Sequence, residues 1–98
     1  MLFLLNVTIP LLSKAEPYLK GHMEFLNSRF ESGFFKMFGP YLPGGTGGYA
    51  IIEADSEEKA LEVLKEDPLT RAGECSNELH AVALGRISDS LLSMTANK

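Results

Sequence analysis

The chain has 98 residues, 45% of them hydrophobic and 22% charged, with a formal net charge of -4. A chain of this length buries about two thirds of the surface it exposes when unfolded, enough for one modest core and not for a second domain. The acidic balance leaves no electrostatic footprint for nucleic acid or an anionic membrane, and the single cysteine, Cys75, excludes an internal disulfide or a metal-thiolate cluster and fits a reducing cytoplasm.

Met1 to Ile9 is apolar at both parities, with Phe3, Leu5, Val7 and Ile9 on one side and Leu2 and Leu4 on the other. The run has no basic residue before it and breaks at Asn6, Thr8 and Pro10, well short of the roughly 20 apolar residues of a membrane span. It reads as a strand covered on both faces, not as a signal peptide. Ser13 and Glu16 have the spacing of a capping box, while Pro17 suits the first turn of a later start, so the first helix begins between Ser13 and Pro17. It runs to about Ser32, with Tyr18, Leu19, His22, Leu26 and Phe30 inward and Gly33 as its stop. Gly21 inside this helix costs about 1 kcal/mol relative to alanine, which marks a close approach by another backbone or by a ligand beside His22.

Phe34 to Phe38 is the second strand, again apolar at both parities, and Gly39-Pro40 ends it because proline has no donor for the ladder. Pro43 to Gly48 is a flexible connection, and Tyr49 to Ala54 pairs back as the third strand of a wide hairpin. Asp55 or Ser56 caps the second helix, whose inner residues are Ala60, Leu61 and Leu64, and Pro68 stops it near Glu66. Asp67 to Gly73 forms one short extra turn. A fourth strand spans about Leu79 to Ile87, with His80, Val82, Leu84 and Arg86 on one face. Residues 1–87 make the domain, and Ser88 to Lys98 is a frayed tail or a short docked helix.

The order is therefore βαββαβ, an α+β ferredoxin-like fold with a four-stranded antiparallel sheet and both helices on one face. Because the first two strands are apolar on both faces, the open face calls for a symmetric partner, and two sheets face to face make a dimeric α/β barrel. The expected partners are a second copy, as a homodimer or a ring of dimers, and a small-molecule ligand, with no nucleic acid and no membrane.

His22 lies among Tyr18, Leu19, Phe25 and Leu26 on the apolar stripe. One reading makes it a neutral core histidine. The other pairs it with Asp67, which the fold brings to the same rim: a carboxylate on one ring nitrogen fixes the tautomer and makes the other a general base. Asp67 is equally a candidate N-cap of the Pro68 turn, and its two oxygens allow both roles. Gly39, Pro40, Tyr41 and Arg71, near this rim, are the candidate substrate contacts. The glycine loop Gly44 to Gly48 is not a phosphate cradle, since it leads into a strand and lacks the Lys-Ser/Thr pair and helix N-terminus. Two histidines without clustered ligands supply no metal site within one chain, and no cofactor is expected.

Gly21-His22-Met23, Gly33, Gly39-Pro40, Gly47-Gly48 and Asp67-Pro68, in this order and spacing, resemble the YciI-related family over Met1 to about Ile87. The resemblance implies a ferredoxin-like fold, a dimeric α/β barrel, and a His-Asp pair at His22 and Asp67 serving acid-base elimination on small organic molecules. The Asp-Pro and Gly-Pro pairs favour this group over the related barrels that isomerise muconolactones or oxidise aromatics without a cofactor. The alternative is a non-catalytic ligand-binding or structural dimer of the same architecture.

Overall fold

In the computed structural model, which describes residues 1–95, β1 (Leu2–Thr8) sits inside the sheet. It pairs antiparallel with β3 (Gly47–Glu53) on one side and β4 (Ser76–Val82) on the other, while β2 (Phe35–Pro40) pairs with the far edge of β3, giving the order β2-β3-β1-β4. Residues directly opposite in an antiparallel ladder share a face. Leu5 stands between Ala50 and Leu79, and Phe3 between Ile52 and Ala81. That face carries the core, where Phe3, Leu5, Phe35, Ala50 and Ile52 meet Phe25 of α2 (Leu19–Glu31) and Ala60 and Leu64 of α3 (Glu57–Leu64). The architecture is α+β and ferredoxin-like, with the helices on one side of the sheet. The open side presents Leu4 between Ile51 and His80, and Leu4 is 39% exposed.

The first helical segment differs from expectation in how it starts. A short α1 (Leu12–Ala15) and a 3-10 turn (Glu16–Tyr18) precede α2, and the N-cap residue Leu11 has no side-chain cap, so Ser13 and Glu16 form no capping box. Pro17, which lacks an amide donor, falls at the break. Tyr18 and Phe30 are exposed, and Phe25 is the residue that α2 buries. Gly33 ends α2 as expected, at φ 92°, with Gly33 N–H donating to Phe30 and Phe34 N–H to Arg29, the double closure of a Schellman motif. Ser56 caps α3 through Lys59 N–H at 3.1 Å; Leu61 is exposed.

One register and two strand limits also differ, each for a reason of pairing. The register shifts between Phe35 and Met37, so Phe35 opposite Ile52 and Phe38 opposite Ala50 face the same core despite opposite parity. The two-sided apolarity of this segment is thus a bulge, and Lys36 and Met37 are exposed. Gly39 and Pro40 do not end the strand before them; they are its last two residues, and Pro40 is tolerated because β2 is an edge. Finally, β4 runs from Ser76 to Val82, not Leu79 to Ile87, because β1 offers partners only from Thr8, opposite Ser76, to Leu2, opposite Val82. Asp89–Met94 forms a 3-10 turn whose Leu92 is 82% exposed, so the described part of the tail is not docked; the rest of that expectation, residues 96–98, lies outside the described residues.

Ile52 is fully buried where strands and helices meet. Ile52→Ala should lower the unfolding free energy by about 2–5 kcal/mol, the cost of lost transfer energy plus an unfilled cavity, measured by urea denaturation with an unchanged m-value.

Candidate functional site

The site begins at the chain reversal after α3. Pro68 disfavours the helical conformation at the residue before it, and Asp67 is extended at φ -70° and ψ 122°. From there Asp67 Oδ1 accepts the Leu69 N–H at 3.0 Å, which caps α4 (Pro68–Arg71), with Pro68 in its first turn. The Pro68 ring lies directly on Gly21 of α2. A Cβ at position 21 would stand 2.9 Å from Pro68 Cγ, so only glycine lets the two helices approach this closely. Nearby, Arg29 of α2 is ion-paired with Glu66, holding the same reversal against the same helix.

One residue past Gly21, His22 Nδ1 lies 2.9 Å from Asp67 Oδ2. Asp67 is 3% exposed. An ionised carboxylate only accepts hydrogen bonds, so in the neutral ring Nδ1 carries the proton and Nε2 keeps its lone pair. Each fully buried side-chain nitrogen or oxygen among the described residues has a partner. Nε2 has none among the described residues, and therefore retains open surface.

His22 lines a cavity of about 280 Å³ between the sheet and the α1–α2 side of the helical layer. Its walls are mostly apolar, including Leu5, Val7, Leu19, Leu26, Phe35 and Phe38, and among the described residues no Lys, Arg, Asp or Glu lines it. Gly39 and Pro40 border the cavity with Gly45, Gly47 and Gly48. Tyr41 and Arg71 do not: the Tyr41 hydroxyl donates to Asn6 Oδ1 at 2.5 Å, and Arg71 is exposed on α4. The glycine-rich connection, whose Gly45 packs on Leu12 of α1, is one wall of this cavity. A larger hollow of about 550 Å³ runs along α3 past Glu58, Glu62 and Lys65 to Thr70, Cys75 and Asn77, without His22 or Asp67 among its walls.

Cys75 sits at that second hollow, 3.5 Å from Thr70 Oγ1. Burial pushes its thiol up; the Thr70 hydrogen bond acts against this and the Asp67 charge adds to it. His80 is exposed on the open sheet face, 3.5 Å from Glu78. Sequence reasoning missed Thr70 and Asn77 beside Asp67. Thr70 lies one turn past Asp67 and was accessible from spacing, whereas Asn77 reaches the site only through the pairing of β4.

The chain belongs to the family of the YCII-related domain, whose pattern matches residues 1–79. It is 44% identical over 64 residues to the uncharacterized protein YjpA of Bacillus subtilis (strain 168), a match covering 65% of this chain and 72% of that protein. Among solved structures it is similar to 5-chloro-2-hydroxyhydroquinone dehydrochlorinase (TftG) from Burkholderia phenoliruptrix, in complex with 2,5-dihydroxybenzoquinone. That likeness has a TM-score of 0.73 at 24% identity and covers 87% of this chain and 96% of the other. Muconolactone isomerase shares the fold at TM-score 0.70 and 19% identity, over 91% of this chain and 95% of that one.

If the Gly21–Pro68 contact sets the distance between His22 and Asp67, Gly21→Ala should destabilise the protein by about 1–3 kcal/mol through overpacking, although alanine is the better helix former. Thermal denaturation measures the loss, and a variant more stable than the parent refutes the contact's role.

Proposed function

We propose that the protein is an enzyme in which His22 is a general base and Asp67 the group that orients it, acting on a small organic molecule held in the 280 Å³ cavity. The carrying observation is the 2.9 Å contact between Nδ1 and a buried carboxylate, which leaves Nε2 as the basic atom at an apolar cavity. The reaction begins with proton transfer from a carbon or hydroxyl of the substrate to Nε2. Elimination follows if the electron pair expels a neighbouring leaving group, as with hydrogen chloride, and isomerisation follows if the proton is returned elsewhere. Dehydrochlorination is the activity of the similar TftG, and isomerisation that of the muconolactone enzyme. Because no Lys or Arg among the described residues lines the cavity, the favoured substrates lack a carboxylate or phosphate needing a buried counter-ion. Gly39 and Pro40 supply backbone and ring surface against the substrate, whereas Tyr41 and Arg71 stand outside the cavity and take no part in holding it.

The same reading includes a homodimer. The open sheet face carries Leu2, Leu4, Ile51 and Val82 in register, a surface that a second copy would cover. Light scattering at micromolar concentration should give twice the mass of the chain or a multiple of it; a monomer there refutes the assembly.

Activity is tested on a panel of small chlorinated and hydroxylated rings that includes 5-chloro-2-hydroxyhydroquinone, with chloride release and ultraviolet absorbance as readouts. His22→Ala should lower turnover by about 10²-fold or more, the usual contribution of a general base, and Asp67→Asn should lower it less. Turnover equal to the parent in His22→Ala removes the proposed base.

A further inference from the structure

Asp67 takes more donors than an N-cap and a histidine require. Thr70 Oγ1 donates to Oδ2 at 3.2 Å, the same oxygen that faces His22 Nδ1. A hydroxyl has one proton to give and two lone pairs to fill. Asn77 Nδ2 of β4 donates to the Thr70 hydroxyl at 3.0 Å, and Cys75 Sγ lies 3.5 Å from the same oxygen, a contact in which either atom can be the donor. An ionised carboxylate only accepts, so the one hydroxyl proton goes to Asp67 and the thiol is left as the donor of the Cys75 contact. The carboxylate then accepts from Leu69 N–H on Oδ1 and from Thr70 and His22 on Oδ2.

We propose that Asn77, Cys75 and Thr70 form a one-way chain of hydrogen-bond donors that locks the rotation of the Asp67 carboxylate and so holds the His22 ring with Nε2 presented to the cavity. They are positioning residues, and their catalytic meaning rests on the general-base role of His22. The direction of the chain is set by Asn77: its amide nitrogen donates, so the hydroxyl cannot turn toward β4. An aspartate of the same shape at position 77 would accept instead, drawing the Thr70 proton away from Asp67. Asn77 lies opposite Val7 on the core side of β4, and it also borders the hollow along α3 where substitution meets space. The chain thus connects the two concavities on either side of Asp67.

The test is solvent exchange of the His22 Nδ1 proton, followed by nuclear magnetic resonance in the full-length, nitrogen-15-labelled protein without substrate. Losing one hydrogen bond to a charged group should loosen the carboxylate and speed this exchange roughly tenfold in Thr70→Val and in Asn77→Asp. Thr70→Ser, which keeps the hydroxyl, should restore the parental rate. Backbone amides of β1 report global opening and should not change. If Thr70→Val raises those amide rates too, Asn77→Asp and Thr70→Ser decide. An unchanged Nδ1 rate in Asn77→Asp, or a fast one in Thr70→Ser, overturns the chain. Neither outcome bears on turnover, so the relay and the general-base reading fail separately.

Discussion

A missing side chain at position 21 governs the geometry of this protein's site. The Pro68 ring occupies the space that a Cβ on α2 would fill, and the contact brings the start of α4 onto the second helix residue by residue. Gly21 meets Pro68, and His22 meets Asp67. Any larger residue would separate both pairs together, because the two contacts are adjacent on the same backbones. The helix-propensity loss at Gly21 is a cost of about 1 kcal/mol accepted for proximity that no other residue type permits.

Proline constrains the other side of the junction. It forces Asp67 into an extended conformation, which points its carboxylate back over the first turn of α4. A short helix of four residues would be marginal alone, and its cap is its principal local support. The cap uses Oδ1 and leaves Oδ2 for His22, so capping and orienting the ring do not compete. Burial makes the arrangement directional: at 3% exposure water cannot supply donors in place of the protein's own, and each lost donor leaves the carboxylate less solvated.

The element order was legible in the sequence because its punctuation is strong. Gly33, Ser56, Pro68 and Gly73 each mark a boundary that the fold uses. The limits of β4 were not, because Ser76-Asn77-Glu78 looks like a loop, and only the length of β1 decides which residues find a partner. Nor was the bulge at Lys36, since alternation assumes an unbroken register while the register here is fixed by where Ile52 and Ala50 stand on β3. At the site, His22 and Asp67 were accessible from their neighbours and from the topology. Thr70 and Asn77 depend on side-chain direction across three elements, which local patterns do not contain.

The cavity itself follows from what the edge of the sheet omits. Pro40 pairs with Gly48, and Val7 with Gly48 on the other side, so at the corner where β1 and β2 end and β3 begins, β3 contributes no side chain at Gly47 or Gly48. Adding a Cβ at Gly48 would place it 2.5 Å from the Gly39 carbonyl oxygen, so the backbones there are packed as closely as glycine allows. The α1 segment borders the same corner through Leu12, which lies against Gly45. The void is therefore lined by strand side chains such as Leu5, Val7 and Phe38, by the glycine connection and by His22. A ring nitrogen without a partner among the described residues is tolerable at such a wall only because the cavity admits solvent or ligand, so the open corner and the exposed Nε2 are two consequences of one packing arrangement.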